Sequence, residues 1–84
     1  MRIEFTPAAL KQLEGLKRLS GLSLRFRLAF EQISVNPYIG KALSGEFEGA
    51  FSYRVGDYRI IYQVVEDQLL VLIIRVGHRK EVYK

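Results

Sequence analysis

Four arginines stand where this chain is richest in strand-forming residues: Arg54 in SYRV, Arg59 in YRII, Arg75 in IIRV and Arg79 in GHRK. A guanidinium stays charged at any physiological pH and presents a planar fork of donors that matches phosphate oxygens two at a time. Several of them brought together can hold a phosphodiester and neutralise charge building on it during reaction. The closing stretch VGHRKEVYK adds His78, Lys80 and Tyr83. Histidine is the residue type suited to proton transfer near neutrality, and a tyrosine ring can stack on an unpaired base. The formal net charge of +4 fits an anionic partner.

Other chemistries find little support. The chain has no cysteine and a single histidine, so no thiolate nucleophile, disulfide or zinc site is expected, and no cofactor. Ser34, Ser44 and Ser52 lack the histidine–carboxylate arrangement of a nucleophile triad. GDYRIIYQ lacks phosphate-loop spacing. Glu46 and Glu48 could reach a site as a base, but fit better as solvated edge carboxylates. The longest apolar run, Leu69 to Ile74, is too short to cross a bilayer, and the start does not read as a signal peptide; a soluble, cytoplasmic protein is expected.

Eighty-four residues make one domain, 1–84. RIEF is a short strand. Thr6-Pro7 starts a helix running to about Leu19, with a hydroxyl cap and proline at the first helical position. Ser20 or Ser23 can cap a second helix, which Asn36-Pro37 stops at about Val35. Leu22, Phe26, Ala29, Phe30 and Ile33 share one face of it. Leu24, Leu28 and Val35 form a second apolar stripe, for the first helix or for a partner. From Gly45 onward the period is that of strands. The fold class is α+β: strand, helical hairpin, then an antiparallel meander with the helices on one sheet face.

Strand register decides where the arginines point. A two-residue Gly56-Asp57 turn sets Val55 against Tyr58 and Arg54 against Arg59. A three-residue Glu66-Asp67-Gln68 loop sets Val65 against Leu69 and Arg59 against Arg75. Opposed residues share a sheet face, so Arg54, Arg59 and Arg75 form one row, joined by Arg79 if the strand stays regular. A one-residue slip in the second loop would remove Arg75 from it. The other parity collects Phe51, Tyr53, Val55, Tyr58, Ile60, Tyr62, Val64, Leu70, Leu72, Ile74 and Val76 as the core face. His78 falls nominally on that core side. Like charges opposed across strands destabilise a sheet, so the row suggests an anion site. The plainer alternative is a solvated face whose arginines protect it from aggregation.

The order and spacing of LSGEFEGAFSYRVGDYRIIYQV, NP before a loop, and the closing VGHRKEVY resemble the RelE/ParE toxin family of toxin–antitoxin modules, nearly end to end. The resemblance implies a RelE-like, microbial-ribonuclease-like fold. It also implies two branches: metal-independent endoribonucleases that cleave mRNA in the ribosome, and non-catalytic inhibitors of DNA gyrase that have largely lost the basic set. Under the first, Arg54, Arg59, Arg79, Tyr83 and His78 form the catalytic set, with Arg75, Ser52 and Lys80 binding RNA around it. The chain departs from the pattern at Ser52, where the RelE-like branch has a lysine, which leaves the general base unassigned. The implied partners are ribosome and mRNA, and an antitoxin in a hetero-oligomer, docked on Leu24, Leu28 and Val35. A general RNA-binding module is the third reading.

Overall fold

In the computed structural model, which describes residues 1–19 and 21–83, the chain runs β1 (Arg2–Phe5), α1 (Pro7–Leu16), α2 (Leu22–Val35), β2 (Lys41–Ala42), β3 (Ala50–Val55), β4 (Tyr58–Val65) and β5 (Leu70–His78). Single 3-10 turns fill Gly45–Phe47 and Glu66–Gln68. Thr6 makes the first reversal. Its hydroxyl accepts the Ala9 N–H at 3.1 Å and donates to the Ile74 carbonyl at 3.1 Å, while Pro7 supplies a helical φ. α1 ends at Leu16 rather than near Leu19, because residues 17–19 tighten into a turn. Gly21, left-handed at φ 76, opens α2 without a side-chain cap. Ser23 therefore lies inside the helix instead of capping it, and Ser20 falls outside the described residues.

The sheet has the order β1-β5-β4-β3-β2, with β1 parallel to β5 and the other pairs antiparallel. The Gly56-Asp57 turn sets Val55 against Tyr58 and Arg54 against Arg59, as the sequence predicts. The second loop does not behave as predicted. Leu69 takes a left-handed conformation (φ 51) and joins the loop, so Val65 pairs with Leu70. That displacement turns the first half of β5 over, and Val71 and Ile73 face the helices in place of Leu70 and Leu72. A β-bulge then places Ile74 between the pairs Tyr62–Ile73 and Ile61–Arg75. Ile74 is thereby lost from the core, Val76 is kept in it, and Arg75 returns to the outer face. Beyond Ile73 the strand has no β1 neighbour; α1 covers this edge, and Gln12 Oε1 accepts the Val76 N–H at 2.9 Å.

Both helices lie on one sheet face. Ala9, Leu22, Phe26, Ala29 and Ile33 pack against Val55, Ile60, Tyr62, Val71, Ile73 and Val76. Between the helices a groove of about 460 Å³ opens over Ile3, Phe5, Leu13, Phe26 and Phe30. The second stripe of α2 faces largely outward: Leu24, Leu28 and Val35 are 59%, 52% and 85% exposed. No helix among the described residues is long and apolar enough to cross a membrane.

Tyr62 fixes the path into β2. Its ring is fully buried, stacked on Phe51 at 5.6 Å, and its hydroxyl donates to the Pro37 carbonyl (2.8 Å) and accepts the Gly40 N–H (3.0 Å). Gly40 is required there, since a Cβ would stand 2.6 Å from that hydroxyl. Burial holds the Tyr62 phenol above its ordinary pKa of 10.0, partly offset by the Gly40 hydrogen bond. The sign follows: the unfolded chain releases this proton first, so the contribution is complete below pH 10 and is lost as pH rises beyond it. Tyr62→Phe strands one buried donor and one acceptor and should cost about 1–3 kcal/mol in urea unfolding at pH 7. The variant should also lose less of its stability above about pH 10 than the parent does.

Candidate nucleic-acid interface

Two register rows cross the outer face of the sheet. One runs Lys41, Ser52, Ile61, Arg75 from β2 to β5, and the other Arg54, Arg59, Gly77 from β3 to β5. Arg75 thus shares the face with Arg54 and Arg59 as expected, but it stands opposite Ile61 and not opposite Arg59. Gly77 takes the place opposite Arg59 and brings no second charge there, which relieves the cross-strand repulsion.

The chain then folds back over this face. The Arg79 N–H donates to the Asp57 carbonyl (2.9 Å), and the Glu81 and Val82 N–H groups both donate to the His78 carbonyl (2.8 and 2.9 Å). This turn buries Val82 against Ile61 and Ala50, with Leu43 and Phe47 at the margin. Arg75 Nη1 donates to the Val82 carbonyl at 3.0 Å, and its guanidinium lies 5.3 Å above the Phe47 ring. Phe47 meets Tyr83 edge-on at 5.6 Å. The Tyr83 hydroxyl donates to Ser52 Oγ at 3.1 Å, and Arg59 Nη1 reaches the same oxygen at 3.4 Å. Ser52 is 3% exposed. A serine oxygen has two acceptor positions, and here both are engaged.

The expected site residues therefore divide. Arg59, Arg75, Ser52 and Tyr83 come together. Arg54 stands beside Arg59 by register, but its Nε donates to the Gly56 carbonyl at 3.1 Å and draws the side chain toward the turn. Arg25 of α2 crowds the same glycine, whose absent Cβ would lie 2.6 Å from Nη2. Arg79 and Lys80 are exposed in the closing turn. His78 does not join the basic face. It pairs with Tyr58 on the helix side, its ring 5.5 Å from the tyrosine ring, and its Nδ1 accepts the Lys80 N–H at 3.1 Å. Among the described residues no carboxylate lies within ion-pair distance of Arg54, Arg59 or Arg79. These three guanidiniums are left without an ion-pair partner among the described residues. Among the same residues no group of three acidic, histidine or cysteine side chains could hold a metal ion.

Sequence reasoning missed Phe47, Ile61, Val82 and Lys41. The signal for two of them was present: Ile61 is apolar at the polar parity of β4, and Val82 is apolar in an otherwise polar tail. Each answers the other's exposed surface. Lys41 was hidden because nothing local marks a two-residue strand.

The family described as ParE toxin of type II toxin-antitoxin system, parDE, matches residues 3–83. Toxin RelG of Mycobacterium tuberculosis is 36% identical over 84 residues, covering 98% of this chain and 94% of that protein. Toxin RelE of the same organism is 30% identical, over 98% of this chain and 84% of its own length. Among solved structures, the RelBE2 toxin–antitoxin complex of M. tuberculosis contains a chain similar to this one at a TM-score of 0.76 and 36% identity, over 93% of this chain and 96% of that one. With a match this complete, carried by the same α+β fold and closing segment, the chain belongs to the RelE/ParE family of type II toxin–antitoxin toxins.

Proposed function

We propose that this toxin is a metal-independent endoribonuclease that cleaves mRNA on the ribosome and so arrests translation in the cytoplasm. The observation that carries the reading is the convergence of Arg59 and Tyr83 on buried Ser52, with Arg75 bonded to the Val82 carbonyl next to Tyr83, on a face where Arg54, Arg59 and Arg79 find no carboxylate within ion-pair distance among the described residues. Arg59 and Arg54 hold the scissile phosphate and neutralise the charge that builds as the ribose 2′-oxygen attacks. Arg79, in the turn that follows β5, stabilises the leaving 5′-oxygen. Tyr83, at the rim, stacks on or orients a nucleotide, and Arg75 and Lys80 bind the flanking backbone. A guanidinium is a poor proton donor, so these roles are electrostatic. Ser52, with both acceptor positions taken, holds Arg59 and Tyr83 and does not accept the proton. His78 supports the closing turn through Lys80 and acts from behind the site. In-line posing by the ribosome fits a face with no evident base, since alignment alone is worth several kcal/mol, roughly 7–11 at the limit.

The antitoxin docks an amphipathic segment on Leu24, Leu28 and Val35, in a hetero-oligomer like the toxin–antitoxin complex named above. Leu28 and Arg54 line one shallow hollow of about 270 Å³ at the free edge of β3. A segment lying on the stripe can therefore continue round that edge onto the basic face, where acidic side chains meet Arg54. The second reading, inhibition of DNA gyrase, rests on the ParE name of the matched family and the ParE-like branch it resembles; retention of the guanidinium set weighs against it.

Arg59→Ala should lower cleavage by about 100-fold or more, the usual cost of removing a donor aimed at developing charge. Primer extension on mRNA in a translation reaction measures this. Wild-type protein that leaves mRNA intact while blocking gyrase supercoiling would overturn the enzyme reading. Leu28→Asp, at an exposed position, should leave thermal stability within about 0.5 kcal/mol. It should weaken the complex with a co-expressed antitoxin about 10-fold or more, read by titration calorimetry.

A further inference from the structure

We propose that Lys41 is a further catalytic residue, an ammonium delivered by β2 to the phosphodiester that Arg59 and Arg54 hold, from the side of Ser52; the inference rests on the ribonuclease reading and names its missing contact. Lys41 stands directly opposite Ser52 in the β2–β3 pairing. Opposed residues share a face with Cβ atoms about 4.5–5.5 Å apart. The face is fixed by Ser52, whose oxygen receives Arg59 and Tyr83 from the outer side. The Lys41 stem must therefore leave the sheet beside them. Across the register row it flanks Ser52 on one side as Arg75 does beyond Ile61 on the other. Strand spacing puts these two basic residues about 14 Å apart at the backbone, with the tail lying between them.

The placement is built, not incidental. A two-residue edge strand has little pairing of its own to locate it. It is located instead by Tyr62, whose buried hydroxyl ties both Pro37 and Gly40, the residue immediately before Lys41. The absent Cβ of Gly40 would also meet the Ser52 carbonyl at 2.9 Å, so the glycine allows β2 to close onto β3 at the level of Ser52. The side chain so placed is exposed, and among the described residues no carboxylate pairs with its amine. A flexible ammonium with three donors suits a phosphate oxygen approached from the side the arginines do not cover. Ser52 is too short for that contact, and a long cation there would directly oppose Lys41.

Two measurements on the full chain test this, with Lys11→Ala on the exposed face of α1 as control. In the translation reaction Lys41→Ala should cut the cleavage rate about 10-fold or more, while Lys41→Arg stays within about threefold. In binding to a short single-stranded RNA, Lys41→Ala should reduce the slope of log affinity against log salt by about 0.7, the share of one phosphate contact. Lys11→Ala should change neither. A Lys41→Ala protein matching wild type in both rate and slope, or matched by Lys11→Ala, overturns the proposal. If wild-type protein binds the RNA but never cleaves mRNA, the ribonuclease reading falls and with it the catalytic role; the slope then decides whether Lys41 contacts phosphate.

Discussion

The register of β5 is the constraint on which the site depends. Leu69 lies in the loop, so the strand enters one residue out of step with a tight hairpin, and an unbroken ladder from there would set Arg75 against Ile60, inside the core. Burying an unpaired guanidinium costs more than a small domain can absorb. The bulge at Ile74 adds a second one-residue displacement, and two such displacements restore the face. The bulge is tied down from outside the sheet, since the Ile74 carbonyl accepts the Thr6 hydroxyl that also caps α1. One side chain thus couples the start of the first helix to the orientation of Arg75. The same offset gives Arg59 a glycine neighbour in place of a third opposed charge.

The outer face is not uniformly polar, and this explains the tail. Ile61 and Ala50 leave an apolar patch in the middle of the basic rows, and Val82 covers it. Burying a side chain of this size is worth about 1.5–3 kcal/mol, enough to hold a five-residue turn but not to make it rigid. Tyr83 arrives over Ser52 as a consequence of that burial. Around Val82 the tail is also held by the Tyr83 phenol hydrogen bond to Ser52, the Tyr83 ring edge on Phe47 and the Arg75 bond to the Val82 carbonyl. The hydrophobic term places the tail, and the polar terms aim it.

Much of this was legible in the chain. The Thr6-Pro7 start, the Asn36-Pro37 stop, the Gly56-Asp57 turn and the buried face of α2 follow from local stereochemistry and period, which act within a few residues. The second hairpin was not legible. A leucine in the left-handed region carries no local signature, because the conformation is imposed by the strands it joins. The bulge could not be read either, since LLVLII is apolar at both parities and supports either register equally. The arginine row was right in its face and wrong in its spacing for the same reason. His78 was placed by parity on the core side, and there it stays.

Arg54 and Arg59 are two like charges directly opposed on the outer face, and such self-repulsion works against folding. Such an arrangement is relieved by binding an anion, and any ligand that binds only the folded chain stabilises it in proportion to RT ln(1 + [L]/Kd). The geometry of β3 determines how a ligand can arrive. β2 pairs only with Phe51 and Ser52, so the edge of β3 from Tyr53 to Val55 is open between the α2 stripe and the basic face. A polyanion can reach the arginines from the solvent side of the sheet. An amphipathic polypeptide can reach them from α2, burying Leu28 first and arriving at Arg54 round the open edge. The two routes meet at one guanidinium, so under the proposed function a segment seated on α2 and extended past that edge would compete with nucleic acid for Arg54 without having to displace the tail.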